Sequence, residues 1–197
     1  MAKARRWDVW LLLLLLIVLV SGIGLVVRRD ESRKDIVDAG TVPALTVSSS
    51  SFSDGASIPA KFTCDGGDTS PQLSFSPAPA GTKSLALIVD DPFAPGGSFV
   101  HWVVFNLPPG LHDLPEGASA HADALQNGVQ GSNDFDKSGY GGPCPPGGNL
   151  HHYSFRVYAL DTMLALSQGA TKKQVTRAAR DHVLAEGKLT GLYRRGQ

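Results

Sequence analysis

The sequence predicts a mainly β domain with one or two helices near its C-terminus, preceded by one N-terminal transmembrane helix. Three observations carry that reading. Glycine and proline are abundant, at 22 and 13 of 197 residues, which favours a loop-rich sheet over a helical bundle. Short runs of strand character recur from Leu45 onward, divided by turn residues. The segment Val9–Val27 contains no charged residue at all.

That apolar segment, as a helix, would be roughly 28 Å long, close to the ~30 Å hydrocarbon core of a bilayer. Trp7 and Trp10 stand where interfacial anchors lie. It fits an uncleaved anchor better than a cleaved signal peptide, whose apolar core runs to about 7–15 residues; secretion after cleavage is the alternative. Lys3, Arg5 and Arg6 precede it and Arg28, Arg29, Arg33 and Lys34 follow it, so charge alone does not orient it. With so short an N-terminal tail (residues 1–8), the expected placement is single-pass, with the C-terminal domain outside the cytoplasm. Residues 28–44 are polar, mixed in charge and aperiodic, and read as a linker. The domain itself is expected over 45–197, long enough for a real core. With 18 basic and 18 acidic residues the chain has no global electrostatic case for nucleic acid.

Within the domain, Thr46–Ser49 alternates, and Ile58–Thr63 is strand-like. Gln72–Ser76 places Leu73 and Phe75 on the face opposite the serines. Ser84–Val89 and His101–Asn106 are almost wholly apolar, as strands buried on both faces are. Leu107–Tyr140 is a long excursion of little periodicity, a length often tied to function. Ser154–Ala159 alternates again. Thr171 with Gln174 forms a capping-box signature, and Val175, Ala178, Ala179, His182 and Val183 continue at helical spacing until Gly187. Leu189–Tyr193 reads as a final strand.

The chemistry gathers at strand ends. Asp91 closes one central strand and runs into a proline-stiffened loop; His101 opens the next. The stretch Gly139–Tyr153 packs glycines and prolines around Cys144 and leads into His151, His152 and Tyr153. An aspartate, imidazoles and a phenol can hold an anion, bind a metal or perform acid–base catalysis; a hydrogen-bonded polar patch beneath a loop is the plain alternative. There is no Gly-x-Ser-x-Gly elbow, P-loop, dinucleotide glycine motif or His-Glu-x-x-His. His112, His121 and His182 read as solvated or surface residues.

Taken together, several segments resemble the phosphatidylethanolamine-binding proteins, in the bacterial branch called Raf-kinase-inhibitor-like. They are Thr63-Cys64-Asp65-Gly66 with Ser70–Phe75, Asp91-Pro92-Phe93-Ala94-Pro95, His101–Asn106, Asn133-Asp134-Phe135, Gly139–Pro146, His151-His152-Tyr153 and Tyr158–Asp161. They occur in family order across about Leu45–Arg195 and are together highly specific. The resemblance implies a Greek-key β-sandwich with a small pocket at one end, for phosphate-like anions or the head group of a phospholipid. Carried over by motif, the ligand-binding set is Asp91, Pro95, His101, Pro145, His151 and Tyr153. Backbone N–H groups at Gly141 and Gly142 are expected to add donors for a phosphate ester. Where the family usually has a second aspartate this chain has Phe93, and where it has an arginine this chain has His152; the two are expected to touch, as a pair replaced together.

Cys64 and Cys144 are the only cysteines. Outside the cytoplasm an even pair suggests a disulfide; two unpaired thiols are the other reading. The expected function is therefore a membrane-anchored, non-catalytic binding module without a cofactor. One alternative is an inhibitor of a protease or kinase, acting through the Leu107–Tyr140 excursion. The other is a hydrolase using Asp91, His101 and His151 around a metal.

Overall fold

The structure, a computed structural model, describes residues 42–196. The expected anchor Val9–Val27 and nearly all of the linker lie outside these residues; among the described residues no helix is long and apolar enough to cross a membrane. The chain is already hydrogen-bonded at Pro43, whose carbonyl accepts from Glu186 N–H at 3.1 Å, so ordered pairing begins before Leu45.

The strands are β1 (Val47–Ser48), β2 (Ala56–Ser57), β3 (Leu73–Phe75), β4 (Ser84–Asp91), β5 (Phe99–Leu107), β6 (Asp113–Leu114), β7 (Val129–Gln130), β8 (His151–Leu160) and β9 (Val183–Tyr193). They form a three-stranded sheet, β1-β3-β6, and a six-stranded sheet, β2-β9-β8-β4-β5-β7. In the larger sheet β8 returns beside β4 to give the order β8-β4-β5-β7, all antiparallel, which is the Greek-key arrangement.

Alternation along the central strands divides two cores. Leu85, Leu87, Val89, Trp102, Val104, Phe155 and Val157 face inward and pack with Val47, Leu73, Phe75 and Leu114 of the smaller sheet. Ala86, Ile88, Val103, Phe105, Tyr158 and Leu160 face outward and are covered by Leu164, Ala170, Val175 and Ala179. The last two belong to helix α1 (Lys172–Ala179). Its N-terminus carries the expected capping box: Thr171 accepts from Gln174 N–H, and Gln174 Oε1 accepts from Thr171 N–H at 2.8 Å. Lys172 then reaches back to Asp90 and to Ser98 Oγ (3.0 Å), pinning the helix to the outer face beside the β4–β5 turn.

Two expectations are corrected. The segment Ile58–Thr63 contains a 3-10 turn, Ala60–Phe62, not a strand; Pro59 starts it by fixing its own φ near −59°. The helix ends at Ala179, and Val183 and Gly187 both belong to β9. Gly187 is no helix stop. A Cβ there would lie 2.3 Å from the Leu45 carbonyl oxygen, so the glycine admits a crossing backbone in mid-strand. The Leu107–Tyr140 excursion holds β6, two 3-10 turns and β7, and buries Leu111, Leu114, Ala118 and Leu125 in the inner core.

Candidate functional site

A pocket of about 230 Å³ opens where β4 ends and β5 and β8 begin. It is lined by Asp91, Ala94, Pro95, Phe99, His101, Phe135, Cys144, Pro145, Pro146, His151 and Tyr153. A volume below the roughly 300–1,000 Å³ of drug-sized pockets suits a small ligand.

Asp91 is the last inward residue of β4, and the β4–β8 register, extended by one residue, brings it opposite Tyr153. It is buried, at 3 % exposure, and its carboxylate is held twice. Oδ1 accepts from the Phe93 N–H at 2.9 Å, closing the turn into the Pro92–Pro95 loop. Oδ2 lies 2.5 Å from Nδ1 of His151, itself buried. That contact assigns the His151 Nδ1 hydrogen to the carboxylate and leaves Nε2 as the imidazole's other polar atom.

His101 reaches the pocket through a β-bulge. Val89 pairs with Trp102, but the next pair is Asp90 with Val100, so β5 carries one extra residue at His101. Strict alternation from Trp102 would send His101 to the outer face beside Val103. The bulge turns it inward instead, a use bulges commonly serve beside sites. Its Nδ1 donates to the Gly141 carbonyl at 2.6 Å, and the Gly141 N–H donates back to the His101 carbonyl at 2.9 Å. With Nδ1 committed as a donor, neutral His101 offers Nε2 as an acceptor. Burial pushes its pKa below the ordinary range, against the opposing pull of the Gly141 hydrogen bond and the Asp91 and Asp90 charges.

Tyr153 is buried, and burial first, then the charge of Asp91, holds its phenol well above the ordinary range, so it stays a hydroxyl. Its ring meets His101 edge-on at 5.1 Å. Phe99 and Phe135 complete an aromatic wall around the imidazole, at 5.2 and 5.4 Å from it and 4.8 Å from each other. Neither was singled out as a site residue. Phe99 could have been found, since it lies two residues before His101 on one strand. Phe135 is placed by its neighbours: Asn133 Oδ1 accepts from the Phe135 and Lys137 N–H groups, and Asp134 Oδ2 accepts from Val100 N–H at 2.8 Å.

Gly141 and Gly142 are corrected as ligand donors. The Gly141 N–H is spent on His101, and the Gly142 N–H donates to Asp68 Oδ1 at 2.6 Å. Both are glycine for space: a Cβ would meet Phe135 Cδ2 at 2.5 Å in one case and the Phe62 carbonyl oxygen at 2.5 Å in the other. Pro95 and Pro145 stand on opposite loops of the pocket wall. Cys64 and Cys144 are joined in a disulfide, with Cα atoms 5.4 Å apart. Phe93 and His152 meet edge-to-face at 6.2 Å, within the range of aromatic pairs. His112, His121 and His182 are exposed and do not line the pocket, His182 bonding Asp161 at 2.7 Å. Among the described residues no group of three or more His, Cys, Asp or Glu side chains is arranged to hold a metal ion.

The buried imidazole makes stability pH-dependent. His101 titrates lower in the folded chain than at its unfolded value of about 6.5. As pH falls below that value, the unfolded chain takes up a proton that the folded chain refuses. The contribution is therefore fully present above about pH 6.5 and lost as pH falls through the folded value. Urea midpoints from pH 7.5 down to 5 should fall more steeply for the wild type than for His101→Gln. Equal slopes would remove His101 from the account.

Comparison with known proteins agrees with the fold. Residues 48–194 match the family model described as phosphatidylethanolamine-binding protein. A UPF0098 protein of Methanothermobacter thermautotrophicus is 51% identical over 145 residues, covering 74% of this chain and 95% of its own. A Mycobacterium tuberculosis relative, LppC, whose name assigns it provisionally to the lipoproteins, is 41% identical over 80% of this chain and 78% of its own. The crystal structure of E. coli YbcL, described as a new member of the mammalian PEBP family, superposes with a TM-score of 0.71 at 35% identity. It covers 77% of this chain and 99% of that one. The chain belongs to the phosphatidylethanolamine-binding protein family.

Proposed function

We propose that this protein is a non-catalytic binding module, held at a membrane by the Val9–Val27 segment, whose pocket takes a phosphate-like anion or a phospholipid head group. The observation that carries the reading is the convergence of Asp91–His151, His101 and Tyr153 on one small, ring-walled pocket. The Tyr153 hydroxyl, with no hydrogen-bond partner among the described residues, and the Nε2 atoms of both histidines are the polar groups free to meet a ligand. No lysine or arginine lines the pocket, so an anion would be held by neutral donors and by proton sharing, not by a fixed positive charge. Neutral His101 presents an acceptor; a monoprotonated phosphate ester can donate its P–OH to it, or the imidazole can take up a proton as the anion enters. An ammonium on the same ligand would find the Asp91 carboxylate.

The binding reading over an enzymatic one is supported by how the polar groups are used. Asp91 and the Nδ1 atoms of both histidines are tied to the protein, which suits a fixed recognition surface. A domain outside the cytoplasm agrees with the Cys64–Cys144 disulfide, and the lipoprotein name borne by the mycobacterial relative agrees with a membrane location for that protein.

Titration with phosphate and with phosphoethanolamine tests the site. Ring signals of His101 and His151 should shift on saturation, with tighter binding at pH 6 than at pH 7.5, because the bound anion favours the proton that His101 otherwise refuses. Histidine signals unmoved by either ligand at saturating concentration would overturn the reading.

A further inference from the structure

Three large hydrophobic side chains are exposed among the described residues: Phe93, Met163 and Leu150, at 64, 55 and 47 %. Two of the three stand on the lip of the pocket. Phe93 lies between Asp91 and Ala94, and Leu150 immediately precedes His151, all three of those neighbours being wall residues. The contact between Phe93 and exposed His152 joins the two lips into one rim. Neither lip loop, 92–97 or 144–150, carries a charged residue. The β8–β9 register pairs His151 with Tyr193, and extended by one residue it sets Leu150 beside Arg194, which is exposed.

We infer that this rim is a bilayer-contacting edge: Phe93 and Leu150 enter the interfacial layer of an anionic membrane, and Arg194 meets the lipid phosphates. The inference rests on the head-group reading of the pocket, since a lipid whose acyl chains stay in the bilayer can offer its head group only to a pocket whose lip reaches the bilayer surface. The chemistry fits that one occupant. Apolar side chains on loops that themselves carry no charged residue enter the interface without desolvating an ion of their own, whereas acidic groups there would be repelled by anionic lipid. Asp91, two residues before Phe93, is buried and tied to His151, and Asp65, adjacent to the disulfide, is ion-paired with Arg195 at 2.7 Å. A basic residue beside the membrane surface draws it toward acidic head groups. Met163 supplies an internal control. It follows β8 at the end opposite His151, about 30 Å away at the strand rise per residue.

The test uses the full chain in nanodiscs of phosphatidylethanolamine and phosphatidylglycerol. Spin labels are placed singly at Phe93→Cys, Leu150→Cys and Met163→Cys; both native cysteines are in the disulfide and do not label. Labels at 93 and 150 should collide several-fold more with oxygen than with a water-soluble nickel chelate, and the label at 163 should show the reverse. Arg194→Glu should shift the 93 and 150 labels toward water. If both rim labels are as water-exposed as the label at 163, the inference fails. It fails equally if all three labels report lipid alike, as non-specific adsorption would produce, or if the rim labels are immobilised only by an added protein fraction. The two rim labels are independent, so a fold perturbed at one leaves the other to decide. Histidine signals that still shift with phosphoethanolamine in detergent separate failure of the rim from failure of the pocket.

Discussion

Replacing Cys144 by serine is expected to lower unfolding free energy by about 2–5 kcal/mol, toward the upper part of that range, and to weaken ligand binding as well. The Cys64–Cys144 bridge closes a sequence separation of 80. In the chain-entropy account a loop of that length removes about 4.5 kcal/mol of freedom from the unfolded chain. The bridge also sits at the site: Cys144, Pro145 and Pro146 are pocket wall, while Cys64 lies just after the 3-10 turn at Ala60–Phe62. Other contacts tie the same two segments. The Tyr140 hydroxyl donates to the Phe62 carbonyl at 2.8 Å, Gly142 N–H to Asp68, and Cys64 N–H to the Pro143 carbonyl at 3.2 Å. The loop therefore stays in place without the bridge, but its tip gains freedom. Affinity for phosphoethanolamine should drop several-fold, well short of abolition, and the urea midpoint should fall sharply. Oxidised and dithiol-treated wild type should reproduce the same difference. Equal midpoints for the two would show that the bridge constrains nothing.

What was legible in the sequence follows what each residue's neighbours in the chain determine. β4 and β5 were visible because their apolar residues recur almost without interruption at strand length, β8 because it alternates, and the α1 start because Thr171 and Gln174 satisfy each other locally. β9 was half hidden: Gly187 and Gly191 occupy inward positions where an alternating strand should show large apolar residues. They are small because Leu45 and Ile58, remote in sequence, fill that space. The membership of Asp91, His101, His151 and Tyr153 in one site could be read from strand-end positions and from motif order. The aim of His101 could not, since the bulge beside it depends on its register with β4. Nor could the commitment of the Gly141 and Gly142 N–H groups, which is decided by His101 and Asp68 from elsewhere in the chain. The pocket loop thus contributes shape and proline walls more than donors, and the proposed ligand recognition rests on side chains.

Chief among those side chains is Asp91. Replacing it with alanine is expected to be the most damaging single change at the site, because it removes one member of a buried pair and a turn closure together. Leaving one partner of a buried hydrogen bond unsatisfied costs about 1–3 kcal/mol, and more where a charged group took part. Here His151 would keep a buried Nδ1–H with no acceptor, and the Phe93 N–H would lose the oxygen that folds the Pro92–Pro95 loop. Asp91→Asn separates these effects. Its side-chain oxygen can still accept from Phe93, but the amide then turns its NH2 toward His151 Nδ1, since either orientation offers an acceptor to only one of the two neighbours, so His151 is no longer orientated by a carboxylate. Asparagine should therefore keep more stability than alanine, yet lose at least tenfold in affinity for phosphoethanolamine. Urea denaturation and calorimetric titration of the two variants, with His151→Ala and the double variant Asp91→Ala/His151→Ala, read the coupling directly. Removing both partners should cost less than the sum of the single losses, since no buried donor is then stranded. Strictly additive losses would mean that the 2.5 Å contact does not organise the pocket, and Asp91 would be reduced to closing a turn.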